Sequence, residues 1–283
     1  MQGARHNGAR LTLSIAVRAA AASPKRILLS RPRHLRHPIS ATHVTVTPMA
    51  ASPQTETVHP PAGYALAEGL SYCFVDGRVV FFDRSQNRYF ASTSTGASAL
   101  SRLLEGEALT CEDAMEIEAL ARNGVLRPQP RQGVIPPPTG YNLPTQSAPL
   151  SDAPSIAPYR ARVLGTRLLV GLALRVLPLH TNLLWLIHRK RRAKRRPDTG
   201  TDSDLHALLG CFGGSRHLLS MNDQCLPTSL ALCHFLLSYG HTADVVIGVR
   251  LRPFAAHAWV QRGEVLLSDT LENVRPFTPV AVI

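Results

Sequence analysis

The sequence contains no Cys-x-x-Cys pair, no glycine-rich nucleotide-binding loop and no uninterrupted apolar run long enough to cross a bilayer. Its five cysteines are an odd number with no secretory segment ahead of them, which argues against a disulfide framework and for a reducing, cytoplasmic compartment. No two of them have zinc-ligand spacing, so no metal centre is expected. Residues 1–48 hold eight Lys or Arg and no acidic residue. That segment accounts for most of the net charge of +12, because the remainder carries 23 basic against 19 acidic residues. The basic balance therefore says little about the working part of the chain. The segment is rich in Arg, Ala and Ser like a transit peptide. Met49, however, opens an ordinary polar lead-in, so residues 1–61 are read as a disordered or mis-started extension outside the folded body.

What is present falls into two modules. From residue 70 the pattern turns to short alternating runs, 71–75 and 78–82, joined by Asp76-Gly77, a strong two-residue hairpin signal. A third strand is expected at 88–91, then a helix at 95–104 ended by Gly106. Thr110 reads as the N-cap of a second helix, with Glu112 and Asp113 at its positive end and Gly124 closing it. Residues 62–128 thus form a small domain of three strands plus helices. Residues 128–158 hold nine prolines and no helical period, the composition of an extended linker, placed at 129–158. Beyond it, 159–177 and 183–187 are apolar and read as helices broken at Pro178. Arg167 and Arg175 exclude stable membrane insertion for this stretch. The run 189–196, basic at seven of eight positions, reads as a solvated helix end or loop rather than a nucleic-acid contact.

The chemistry is expected in the last eighty residues, within a domain spanning 159–283. Leu226, Leu230, Cys233 and Leu237 recur at helical spacing, and Gly240 ends the run. Pro227 is tolerated only in a helix's first turn, so Cys225 must sit at the helix N-terminus. Unpaired N–H groups and the macrodipole stabilise a thiolate there, and the same groups can bind an oxyanion. Taken alone, Cys225 reads rather as a small buried residue, the reading given to Cys233 and Cys73. Strands are legible at 243–249, 256–261 and 265–269, the last two joined by a tight turn. Pairing symmetric about Gly263 places His257 opposite Asp269, close enough for the carboxylate to hold the imidazole. The other ring nitrogen is then free for Cys225, which makes nucleophile, base and orienting group. Trp259, two residues on, could shield the pair or simply be core. Asn222 and Gln224 are both candidates for the second oxyanion donor.

These residues, Cys225-Leu226-Pro227-x-Ser229-Leu230, Gly240, Ile247-Gly248-Val249, Pro253-Phe254-x-x-His257-Ala258-Trp259-Val260 and Asp269, resemble the lasso-peptide leader peptidases, or B proteins. The resemblance covers 221–279. It implies an α+β protein: a winged-helix-like recognition domain joined by the Pro-rich linker to a papain/transglutaminase-like cysteine protease domain. It further implies that Cys225, His257 and Asp269 are the triad and that the leader adds as a strand beside 88–92, touching Arg88, Tyr89, Phe90 and Ala91. The implied reaction releases the leader of a lasso precursor through a thioester at Cys225, after a leader whose penultimate residue is threonine. The implied partners are that precursor and an ATP-dependent, asparagine-synthetase-like macrolactam synthetase. No cofactor is expected on this chain itself, any ATP requirement coming through the synthetase.

Two alternatives share the sequence features: transglutaminase-type acyl transfer to an amine, and a non-catalytic precursor-binding module. A DNA-binding role is disfavoured because the second helix of the front domain sets Glu112, Asp113, Glu116 and Glu118 against one Arg122, the wrong sign for phosphate.

Overall fold

The computed structural model describes residues 17–18, 63–129, 135–136, 140–148, 157–193, 202–214 and 225–283. In chain order these form β1 (Val17–Arg18), β2 (Gly63–Leu66), β3 (Leu70–Val75), β4 (Arg78–Asp83), β5 (Arg88–Ala91), α1 (Ser94–Glu105), α2 (Cys111–Arg122) and β6 (Leu126–Gln129). There follow β7 (Gln146–Ser147), α3 (Ala157–Val176), α4 (Leu179–Ala193), α5 (Asp202–Gly213) and α6 (Cys225–Leu237). The chain ends with β8 (Asp244–Leu251), β9 (Phe254–Arg262), β10 (Val265–Leu266), α7 (Leu271–Val274) and β11 (Thr278–Val282). Helices and a largely antiparallel set of strands make the fold α+β.

The front unit forms as its local chemistry dictates. Asp76 and Gly77 both have positive φ, 48° and 70°, so the two-residue turn twists with its strands and pairs Val75 with Arg78. In the next turn the Asp83 carboxylate accepts the N–H groups of Ser85 and Gln86, and β5 then pairs with β4. Thr93 caps α1 through Gly96 N–H, Gly106 closes it in the left-handed conformation, and Thr110 with Asp113 forms a capping box on α2. On one face of this sheet Tyr72, Phe81 and Phe90 pack over Leu100 of α1 and Ile117 of α2.

The other face carries Cys73, Val75, Val80, Phe82 and Tyr89, and it too is buried. It joins Leu230, Ile247, Ala258 and Val280 in a single core. The two units read from the sequence as separate modules therefore share a core: strands apolar on both faces need cover on both, and the C-terminal unit supplies the second cover. The segment expected as a free linker is also partly docked. Tyr141 and Leu143 pack beside Trp259, the N–H groups of Thr145 and Gln146 reach Glu264 O, and β7 pairs in parallel with β10. From the extension, Val17 and Arg18 pair antiparallel with Tyr89 and Arg88 on the open edge of β5; the rest of 1–61 lies outside the described residues.

The C-terminal sheet has the order β11-β8-β9-β10-β7. Every residue of α6 from Ser229 to Leu237 is buried, because this helix is apolar on all sides and sits between the sheet and α3, α4 and α5. Pro178 separates α3 from α4, and the Asn182 side-chain amide donates to the carbonyls of Leu177 and Pro178 across the break. The basic run is not uniformly solvated. Arg191 and Arg192 are exposed, but Arg189 donates to His234 Nδ1 at 2.9 Å, and the buried Lys190 ammonium donates to the carboxylate of Asp244 and to Ile283 O. Asp244 also accepts the Tyr141 hydroxyl at 2.6 Å, so one carboxylate ties α4, β8 and the proline-rich segment together. Among the described residues no helix is long and apolar enough to cross a membrane.

Removing the Lys190 ammonium leaves a half-buried carboxylate without its cation. Lys190→Ala should therefore destabilise the fold by about 2 kcal/mol or more, whereas Arg191→Ala one position on should cost less than about 0.5 kcal/mol. Denaturant unfolding of the two variants checks the contrast.

Candidate active site

Cys225 is the first residue of α6, with Pro227 in its first turn, so proline's missing N–H falls where no helical bond is lost. The sulfur accepts the backbone N–H groups of Leu226 and Ala258 and shares a hydrogen bond with the His257 ring. Burial works to raise the thiol's pKa, but the hydrogen bond and charge of His257, with the two backbone donors, carry it below the usual 9.0. Asn222 and Gln224, the two oxyanion candidates, lie outside the described residues.

His257 stands on β9, and its Nε2 is 2.6 Å from Asp269 Oδ2. That leaves Nδ1 for the sulfur. Burial opposes a charge on the ring, yet the hydrogen bonds and charges of Asp269 and Cys225 prevail and raise its pKa to about 9. Asp269 is half-buried, which alone would raise it; the His257 bond, the Asn273 amide and the Thr270 N–H hold it below its ordinary value. The latter two bonds fall on Oδ1, at 2.8 and 2.7 Å, so the carboxylate is gripped on one oxygen while the other faces the imidazole.

The route by which Asp269 arrives differs from the sequence expectation. The turn is Gly263-Glu264, and the observed register pairs Val265 with Arg262 and Leu266 with Gln261. Extended along the strand, that register would set Asp269 opposite Ala258, one residue past His257 and on the wrong face. Instead β10 ends after Leu266, Ser268 turns its hydroxyl to accept the Val260 N–H, and the chain swings into α7. Asp269 comes in at the mouth of that turn. The contact was foreseen; the geometry that makes it was not.

Three supports were not assigned a role from sequence. Ser229, one helical turn after Cys225, donates to Ala258 O at 3.0 Å and fastens the cysteine helix to the histidine strand. Asn273 stands four residues after Asp269, the spacing of one helical turn. Gly248 pairs with His257 across β8 and β9, and a Cβ there would lie 2.7 Å from the Trp259 ring and 2.9 Å from Phe277 Cβ. Those two rings flank His257 at centroid distances of 6.0 and 5.2 Å, and Trp259 is fully buried. A glycine inside a strand is the signal that could have been read for such a close approach.

Of the residues expected to meet a leader, Tyr89 and Phe90 turn buried side chains inward, while Arg88 and Ala91 are half-exposed. Tyr89 stacks on Phe82 and lies 5.7 Å from Phe254; burial, then the negative charge at Cys225, pushes its phenol up. A partner strand beside β5 would thus be held through backbone groups. Among the described residues no cluster of side chains could hold a metal ion. A cysteine whose pKa is lowered, beside an imidazole whose pKa is raised and a carboxylate that holds it, is suited to acyl chemistry through a thioester.

Comparison with known proteins fits that chemistry. Residues 168–282 match the transglutaminase-like superfamily, and this span holds Cys225, His257 and Asp269. The microcin J25-processing protein McjB of Escherichia coli is 42% identical to this chain over 53 residues, 19% of this chain and 26% of that protein. The match therefore spans about a quarter of that relative's length. No solved structure matches significantly.

Iodoacetamide should alkylate Cys225 with a midpoint below pH 9.0, and His257→Ala should shift that midpoint upward. Gly248→Ala should cost about 1–3 kcal/mol by displacing Trp259 or Phe277, with a loss of thiolate reactivity that conservative surface changes do not cause. The pH dependence of alkylation and a parallel melting curve check both.

Proposed function

We propose that this protein is a cysteine peptidase that cleaves the leader from a ribosomally made lasso-peptide precursor. The observation that carries the reading is the hydrogen-bonded series from Cys225 through His257 to Asp269 at the start of a buried helix. The transglutaminase-like match and the partial likeness to a microcin-processing protein support the class of reaction and the class of substrate.

In this reading the Cys225 thiolate attacks the carbonyl at the junction of leader and core. The tetrahedral oxyanion forms beside the first N–H groups of α6. His257, charged at the outset, gives its proton to the departing core amine, leaving the leader as a thioester on Cys225. Water then attacks, His257 takes its proton, and the leader leaves as an acid. Asp269 keeps the ring oriented and stabilises its charge throughout. The leader is bound as an added strand at β5, an edge that accepts Val17 and Arg18 by antiparallel pairing in this structure. A threonine penultimate in the leader and hand-over of the freed amine to an ATP-dependent macrolactam synthetase complete the proposal.

Transfer of the acyl group to an amine instead of water uses the same groups and is the second reading, favoured by the superfamily likeness alone. Mass spectrometry of precursor incubated with the protein separates the two: hydrolysis removes the mass of the leader, whereas amide-to-amine exchange at a side chain loses only ammonia. Cys225→Ala should abolish either product, and a variant that still cleaves would refute catalysis at this site.

The pH profile follows from the two shifts. Activity needs the thiol deprotonated and the imidazole protonated, so kcat/KM falls on the acid side as Cys225 gains a proton. It falls on the alkaline side as His257 loses its proton near pH 9. Asp269→Asn should move the alkaline limb down and reduce the rate roughly a hundredfold or more. An unchanged alkaline limb would remove Asp269 from the mechanism.

A further inference from the structure

The helix α3 is apolar on two sides but buried on one. Its inner residues, including Val163 and Val170, pack into the core, while Leu168, Leu172 and Val176 are 73%, 56% and 71% exposed. These three recur every fourth residue and form one outward stripe, broadened by Leu169. Leu177 and Leu184, at the turn into α4 and on α4 itself, are exposed as well. A helix apolar all round would ordinarily be covered on all sides, and an uncovered stripe of this kind marks a contact surface.

The surroundings of the stripe say what would cover it. The helices α3 and α4 contain no Asp or Glu, and although Arg167 and Lys190 are buried and Arg189 is bonded to His234, Arg160, Arg162, Arg175, Arg191 and Arg192 are exposed. The two helices meet at Pro178 and both pack on α6. Arg189 feels the charge of Arg162, with burial the larger influence lowering its pKa. Arg191 and Arg192 are exposed in the last turn of α4. Exposed leucines and exposed arginines carried by the same two helices, neither of which contains an acidic residue, are complementary to a surface that is apolar beneath an anionic layer.

We infer that the α3–α4 hairpin docks this protein on an anionic bilayer surface. The leucine stripe of α3 enters the headgroup boundary, and the exposed arginines pair with lipid phosphates. The helix lies in the plane of the interface and does not span it, in keeping with its four arginines. The site chemistry is on other elements, at the start of α6 and on β9, so docking and catalysis are separable by mutation.

The test is co-sedimentation of the full chain with vesicles of phosphatidylcholine alone and of phosphatidylcholine and phosphatidylglycerol in equal parts. The expected result is binding to the anionic vesicles only. L168D/L172D should reduce the partition coefficient by on the order of tenfold or more, and R191Q/R192Q by roughly fivefold per charge at low ionic strength. Both variants should keep the wild-type melting temperature and precursor cleavage in the absence of lipid. Should the aspartates unfold the helix, L168S/L172S carries the same prediction. Three results would overturn the inference: no binding to anionic vesicles, binding that survives the leucine substitutions, or a homodimer dissolved by those substitutions. The first leaves the stripe to an acidic protein partner, the second makes the attraction nonspecific charge, and the third assigns the stripe to a second copy.

Discussion

Everything in the candidate site depends on one contact, the hydrogen bond from the His257 ring to Asp269, because it decides whether the imidazole beside Cys225 is charged. A buried imidazole on its own would lose its proton, and a buried thiol would keep its own. With the carboxylate in place the two shifts reinforce each other, the ring rising to about 9 as the thiol falls. The fold is arranged around keeping that contact short. Asn273 and Thr270 hold one carboxylate oxygen, Ser229 pins α6 to β9, and Gly248 leaves room for the Trp259 and Phe277 rings that flank the histidine.

The joining of the two units has a consequence for recognition. Tyr89 lies on the strand expected to take up a leader, yet its side chain is in the core shared with Phe254 and within electrostatic range of Cys225. A strand added to β5 would therefore be registered against the same rigid body that carries the nucleophile. Residues of the 141–148 stretch are likewise docked on the C-terminal sheet. In the proposed reading, leader affinity and cleavage are thus coupled through packing as well as through the effective concentration a tether provides.

Much of this was legible in the residues because the signals were local. Asp76-Gly77, Thr110 with Asp113, and Pro227 after Cys225 each impose one backbone geometry, and the structure has that geometry at all three. Local rules failed where tertiary contacts decide. The hairpin at Gly263-Glu264 is one residue out of the expected register, and the strand stops early because Leu266 and Leu267 are used up in the core. Strand β11 escaped notice because Pro279 interrupts its pattern, although an edge position tolerates it. The docked part of the proline-rich segment is held by backbone groups of Glu264 and Leu266, which no composition rule anticipates. Lys190 looked like one more cation in a solvated run; its partner, Asp244, is 54 residues away.

The most direct measurement is the titration of His257 in the isolated protein, followed by nitrogen chemical shifts of the imidazole across the alkaline range. A ring held by Asp269 and facing a thiolate titrates near pH 9, and in Asp269→Asn it falls back toward 6.5. Titration of the wild-type ring at or below 6.5, or the same midpoint in both proteins, would contradict the account.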